Sequence, residues 1–126
     1  MTLSIYLSNL LLDKVFANED FNIGTTYLSF HSSDPGTTGG YEIITGGGYR
    51  EVVICSGAFG GEIYNVNEML YSDVIASGII NYAGLWDAQD GGNYLMGGVM
   101  ASGLGVTVAA GDNLIIHPGS IVIRMV

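Results

Sequence analysis

His31 and His117 are the only imidazoles in this chain of 126 residues, and Cys55 is its only thiol. A general base must lie within hydrogen-bond reach of the group it activates. Each histidine falls at or near the end of an expected strand, where a half-exposed imidazole is commonplace, so a catalytic pair is not the favoured reading. Cys55 follows Val52-Val53-Ile54 and precedes Ser56-Gly57, the pattern of a small buried hydrophobe. A nucleophilic thiolate would need an activating neighbour, which Arg50 or a histidine could supply only through the fold. Asp87, Asp90 and Asn93 place oxygens around a Gly-rich turn and invite a calcium site. Their spacing is not that of an EF-hand loop, calcium takes about six to eight oxygens, and DAQDGGN explains itself as a hairpin turn. A single cysteine permits neither an intrachain disulfide nor a zinc thiolate cluster. The Gly-rich stretches lack a Walker lysine and a G-x-G-x-x-G motif opening a helix, so they offer no phosphate cradle. These residues support no catalytic, metal or cofactor site, and the expectation is a protein that is not an enzyme.

Trp86 and the eight tyrosines could form a platform on which sugars stack. In IINYAGLWDA, however, a period of two puts Ile80, Tyr82, Gly84 and Trp86 on one face of a strand, where packing is the favoured reading and sugar binding the alternative.

The elements that would position these residues are β-strands, apart from one N-terminal helix within residues 1–17. Leu3, Leu7, Leu10, Leu11 and Lys14 recur at helical intervals over 3–16, and Asn18, Glu19, Asp20 and Asn22 stop the helix. Residues 25–126 read as short runs of Val, Ile, Tyr and Thr separated by Gly-containing breaks. Strands are expected over 25–31, 48–55, 62–66, 79–87, 94–101, 105–108, 113–117 and 120–126. Turns are expected at Asp34-Pro35-Gly36 and Asp90-Gly91-Gly92-Asn93, and an outward-pointing loop at 46–48. The expected fold is a single all-β domain over 1–126, an antiparallel β-sandwich of about eight strands with one short helix. The last strand is largely apolar on both faces, so it lies inside the sheet or at a subunit contact.

Composition narrows the function. Apolar residues make up 48% and charged residues only 12%, so much of the surface is uncharged and assembly is the natural inference. Twelve acidic residues against three basic ones leave a formal charge of −9, which repels nucleic acid and anionic membrane surfaces. Residues 3–16 lack a basic leader and are interrupted by Ser8 and Asn9, so neither a signal peptide nor a membrane span is expected. Synthesis in a reducing cytoplasm fits.

YLSNLLLDKVF, TTYLSFHSSDPGTTG, TGGGYREVVI, YAGLWDAQDGGNYLMGGVM and VAAGDNLIIHPGSIVIRMV together resemble small bacteriophage virion proteins commonly labelled tail fibre proteins. The most specific parts are the G-[IL]-W-D-A hairpin, here Gly84 to Ala88, and the late Ala-Gly-Asp turn, here Ala110 to Asp112. Segment 62–75 departs from the resemblance by lacking the small, repetitive residues of the family's middle strands. The resemblance implies a compact β-sandwich in a virion, without enzymatic activity or cofactor. The leading expectation is a capsid decoration or cement protein, trimeric, bound to the major capsid protein or other virion proteins, on the head more than the tail. A tail or fibre component touching the host surface is the alternative. Leu3, Leu7, Ile121, Ile123 and Met125 are the candidate interface residues, although a core role explains them equally well.

Overall fold

The computed structural model describes residues 2–43, 50–72, 78–99 and 106–124. Within them the order is β1 (Thr2–Leu3), α1 (Ile5–Phe16), β2 (Thr26–His31), β3 (Glu42–Ile43), β4 (Glu51–Val53), β5 (Glu62–Tyr64), β6 (Met69–Tyr71), β7 (Gly78–Ile80), β8 (Tyr82–Trp86), β9 (Tyr94–Val99), β10 (Val106–Val108), β11 (Leu114–Ile116) and β12 (Val122–Arg124). Every strand pairing is antiparallel. The chain is therefore all-β with one short N-terminal helix, as its sequence pattern implies.

The helix begins later than its periodicity suggests. Ser4 caps it, its Oγ accepting the Leu7 N–H at 3.0 Å, and Leu3 pairs with Met96 as part of β1. At the other end the N–H groups of Ala17 and Glu19 both donate to the Asp13 carbonyl, with Asn18 left-handed at φ 55°.

The main sheet runs β1-β9-β8-β2-β3, with β4 on the same edge of β2 as β3. Leu28 lies opposite Leu85, Ser29 opposite Gly84, Phe30 opposite Ala83 and His31 opposite Tyr82. Alternation sends Leu28, Phe30, Ala83 and Leu85 to one face and Ser29, His31, Tyr82 and Gly84 to the other. The first set meets the core.

Across that core lie three two-stranded ladders, β7 with β10, β6 with β11 and β5 with β12. With β8 and β9 they form four nested pairs, so strands β5 to β12 make one antiparallel ribbon wound back over the main sheet, the nesting used by jelly rolls. Met69, Tyr71, Ile80 and Val108 reach the buried core from the ribbon, and Leu114, Ile116, Ile121 and Ile123 pack against it. Tyr71 joins the layers: its hydroxyl donates to the Leu28 carbonyl at 2.7 Å and its ring meets Phe30 edge-on at 4.8 Å.

Several expectations need correction. The run 79–87 is two strands, because the Asn81 N–H donates to the His31 carbonyl and its amide to the Ser32 carbonyl, each at 3.0 Å. The break sends Ile80 into the core, away from the face shared by Tyr82, Gly84 and Trp86. The described part of segment 62–75, residues 62–72, holds two strands, β5 and β6, where one was expected over 62–66. Among the described residues there are twelve short strands where about eight longer ones were expected. The loop at 46–48, Met125, and parts of the strands expected at 48–55, 94–101, 105–108 and 120–126 lie outside the described residues.

The turns form where expected. The Gly36 N–H donates to Asp34 Oδ1 at 2.8 Å, and the Asp112 N–H donates to the Ala109 carbonyl at 3.0 Å. A tighter turn was not anticipated. Phe59 and Glu62 exchange backbone hydrogen bonds of 2.9 and 3.1 Å around Gly60 and Gly61, whose φ values of 61° and 77° are the two left-handed conformations of a type I′ hairpin.

Candidate functional site

The face of the main sheet turned away from the core carries a continuous polar chain. His31 Nδ1 lies 2.6 Å from the Gly40 carbonyl, which can only accept, so this nitrogen carries the proton. Nε2 is then the acceptor for the Ser29 hydroxyl, also at 2.6 Å, and Ser29 Oγ accepts the Trp86 indole N–H at 2.9 Å. Arg50 closes the far end. Its guanidinium lies 3.7 Å from the Trp86 ring centroid, and Nε and Nη2 grip the two Glu42 carboxylate oxygens at 2.8 and 2.9 Å. Nη1 donates to the carbonyls of Ala88 and Gly91 at 3.0 and 2.8 Å. A residue only 4% exposed thus makes four hydrogen bonds through its guanidinium, tying β3 and the 87–93 hairpin to the Trp86 face.

Ser29 and His31 have the spacing of a nucleophile and its base, but nothing can reach them. Both are buried, His31 completely, and the hydroxyl that would attack is committed between His31 and Trp86. Gly84 packs so closely that a β-carbon there would fall 2.8 Å from His31 Nε2 and 2.9 Å from Ser29 Oγ. Burial lowers the His31 pKa below its ordinary value, outweighing the raising effect of the Gly40 hydrogen bond, and favours the neutral ring. The arrangement pins loop 32–41 to the sheet.

The other candidates are dispersed. His117 is exposed and lies 3.6 Å from Glu68 on the wound ribbon. Cys55 bridges to Asn65, and burial pushes its thiol pKa up, away from the thiolate. Both Asp87 oxygens are taken by Asn93, from its backbone N–H at 2.6 Å and its amide at 2.9 Å, so this carboxylate locks its own hairpin. Among the described residues no three His, Cys, Asp or Glu side chains gather to share a metal. Trp86 is no open sugar platform, since Arg50 covers its face and the Tyr94 ring stands edge-on at 5.2 Å.

What the molecule does present is apolar surface. Leu3, Leu7, Ile121 and Ile123 are partly buried against the core cluster, while Met125 lies outside the described residues. More open are Ile5, Leu12, Val15 and Phe16 on the helix, and a series along the ribbon. There Tyr64 lies opposite Val122 and Leu70 opposite Ile115, all about half exposed, while their neighbours Ile123, Met69 and Tyr71 pack into or against the core. A solvated sheet face is normally polar. Here Tyr64, Val122, Leu70 and Ile115 make the outward positions apolar, with the Glu62–Arg124 pair beside them.

A family model described as podophage GP4 fiber I protein gp80 matches residues 2–124. The chain belongs to that family. Membership in the fiber I protein gp80 family makes it a bacteriophage virion structural protein of the fibre type, the coarser part of what its sequence resemblance implies. No curated protein matches it.

Within this family fold, the residues that sequence reasoning missed are the polar ones that hold strands in place. Asn65 is fully buried: its amide donates to the carbonyls of Asn67 and His117 at 2.9 and 3.1 Å, and its Oδ1 accepts the Ile121 N–H at 2.8 Å. It fixes where β12 begins. Asn67 does the same for β4, accepting the Ile54 N–H at 2.9 Å and donating to the Val52 carbonyl at 2.7 Å. The signal available was the alternating N-V-N of residues 65–67 between apolar strands, too short to distinguish a buried clamp from an ordinary turn.

Proposed function

We propose that this chain is a non-enzymatic, homo-oligomeric building block of a phage tail fibre, joined to other virion proteins by apolar contact. The observation that carries the reading is the apolar outward face of the ribbon, Tyr64 with Val122 and Leu70 with Ile115, on a chain whose family model is named for a fibre protein. Strands apolar on both faces belong between two layers, and a single copy supplies only one. The burial of the Ser29–His31 pair supports a role without turnover. The charge of −9 disfavours nucleic acid as partner, and the shielding of Trp86 moves any contact with host sugars to exposed rings such as Tyr41.

A second reading, a trimeric decoration protein seated on the major capsid protein of the head, is favoured by one feature: the sequence carries no internal repeat of the kind that builds a fibre shaft. Copy number in purified virions separates the two. A handful of copies per particle, with density on the tail in an electron cryomicroscopy map, is the result expected. Hundreds of copies over the shell would replace the fibre reading by the decoration reading, and absence from particles would overturn both.

A further inference from the structure

We propose that a second copy of this chain covers the outward face of the arm formed by β4, β5 and β12, with Phe59 of one copy seated in a recess beside Phe59 of the next. The inference rests on the homo-oligomeric reading above and assigns its contact surface. The face is continuous by register. Ile54 and Val66 flank the Cys55–Asn65 bridge and are joined by the Val66 N–H to Ile54 carbonyl bond of 2.8 Å; Tyr64 follows on the same side and lies opposite Val122. All four are exposed, and Phe59, at the tip of the same hairpin, is 90% exposed. Together they expose roughly 600 Å² of residue surface, about three quarters of the ~800 Å² per partner of a standard interface.

Two features point to another copy of this chain as the occupant. Knob and socket are adjacent: a recess of about 260 Å³ lined by Ala58, Gly61, Glu62, Ile63 and Ile123 lies on the hairpin that carries Phe59. The Gly60-Gly61 turn holds Phe59 outward, and Gly61 leaves the recess without a side chain on that wall. A knob beside its own kind of socket lets each copy give and receive the same contact, which closes a ring or a two-fold pair. The second feature is charge. Copies of a chain with net charge −9 repel one another, but on this arm Glu62 is neutralised by Arg124 at 2.6 Å. A strongly basic partner would find little to attract it here.

The test is the mass of the full-length protein by light scattering and native mass spectrometry across a dilution series, for wild type, Phe59→Asp, Tyr64→Lys and Phe16→Asp. Phe59 and Phe16 are both largely exposed, and thermal melts report whether each variant folds. Wild type is expected as a discrete oligomer, with Phe59→Asp and Tyr64→Lys weakening assembly at least about 30-fold and Phe16→Asp leaving it unchanged. An oligomeric wild type whose Phe59→Asp and Tyr64→Lys variants assemble equally well overturns this surface and leaves the homo-oligomeric reading standing. Loss of assembly only in Phe16→Asp moves the contact to the helix and overturns the surface as well. A monomeric wild type overturns both.

Discussion

Arg50→Ala should be among the most damaging single substitutions in the described fold. The side chain is 5% exposed and its partner Glu42 only 22%, so neither charge is well solvated. Truncation removes two charge-assisted bonds to Glu42, strips the Ala88 and Gly91 carbonyls of their donor, and uncovers the Trp86 ring. Breaking a buried pair by removing one member costs about 3–5 kcal/mol, because the partner charge stays behind in a poorly solvated site. For a domain near this size 1 kcal/mol moves Tm by roughly 3–6 °C, so a fall of about 10–25 °C is expected by calorimetry, with a matching drop in the urea midpoint. Arg50→Lys should recover little, since an ammonium cannot grip both carboxylate oxygens, reach two carbonyls and stack on the indole together. The double variant Arg50→Met/Glu42→Leu is the decisive control. Replacing both charges leaves none stranded, so it should be more stable than Arg50→Ala alone, with a coupling energy above ~1.5 kcal/mol in the cycle. A loss under about 1 kcal/mol for Arg50→Ala, or a double variant no better than the sum of its singles, would refute the view that this guanidinium holds the 87–93 hairpin through Glu42.

Two tyrosines should respond in opposite directions to loss of the hydroxyl. Tyr94 Oη is buried with no hydrogen-bond partner among the described residues, so Tyr94→Phe should raise the urea midpoint by an amount worth about 1 kcal/mol, whereas Tyr71→Phe, losing the bond to the Leu28 carbonyl, should lower it by ~1–2 kcal/mol. Burial also pushes the Tyr94 phenol up to about 12, so spectrophotometric titration should show a tyrosine ionising well above the usual value of about 10. Gly84→Ala forces a β-carbon against His31, Ser29 and the Tyr94 ring at 2.8 to 2.9 Å and should cost ~1–3 kcal/mol, while Gly57→Ala, with nothing within 4 Å, should stay within about 0.5 kcal/mol. Because burial lowers the His31 pKa in the folded state, the unfolded chain binds more protons there below about pH 6.5. Stability from this residue is therefore complete above that pH and declines as pH falls toward the folded pKa, by at most ~1.4 kcal/mol per pH unit. Urea unfolding at pH 7.5, 6.5 and 5.5 checks it, and a flat profile would contradict the neutral, buried assignment.

The fold class was legible because its signals are local. Asp34-Pro35-Gly36, the Asp87–Asn93 hairpin and the Ala109–Asp112 turn are each fixed by side chains bonding backbone groups a few residues away. Leu3 was misread because a leucine that starts a helix and one that ends an edge strand have the same spacing from Leu7; what separates them is the Ser4 N–H donating to the Leu95 carbonyl, 91 positions along the chain. The interruption at Asn81 was equally hidden, since it depends on carbonyls of residues 31 and 32. Arg50 illustrates the limit most sharply. In sequence it is one of three scattered cations; in space four hydrogen bonds from its guanidinium decide how β3 and the 87–93 hairpin meet.

The absence of clean polar alternation in the second half of the chain carries more information than it first yields. EIY, MLY, GII, LII and VIR place apolar side chains on both sides of a strand, which in a one-copy sandwich would be an error of patterning. In the fold those strands form two-stranded ladders whose inward residues complete the core and whose outward residues do not. Both halves of the pattern make sense if the ribbon is the inner layer of something larger, with the helix and the main sheet on one side and another polypeptide on the other. On that outward face Glu62 pairs with Arg124 at 2.6 Å, and Tyr64, Val122, Leu70 and Ile115 put no charge beside it. A soluble monomer under selection to stay monomeric would spend its acidic residues on that face.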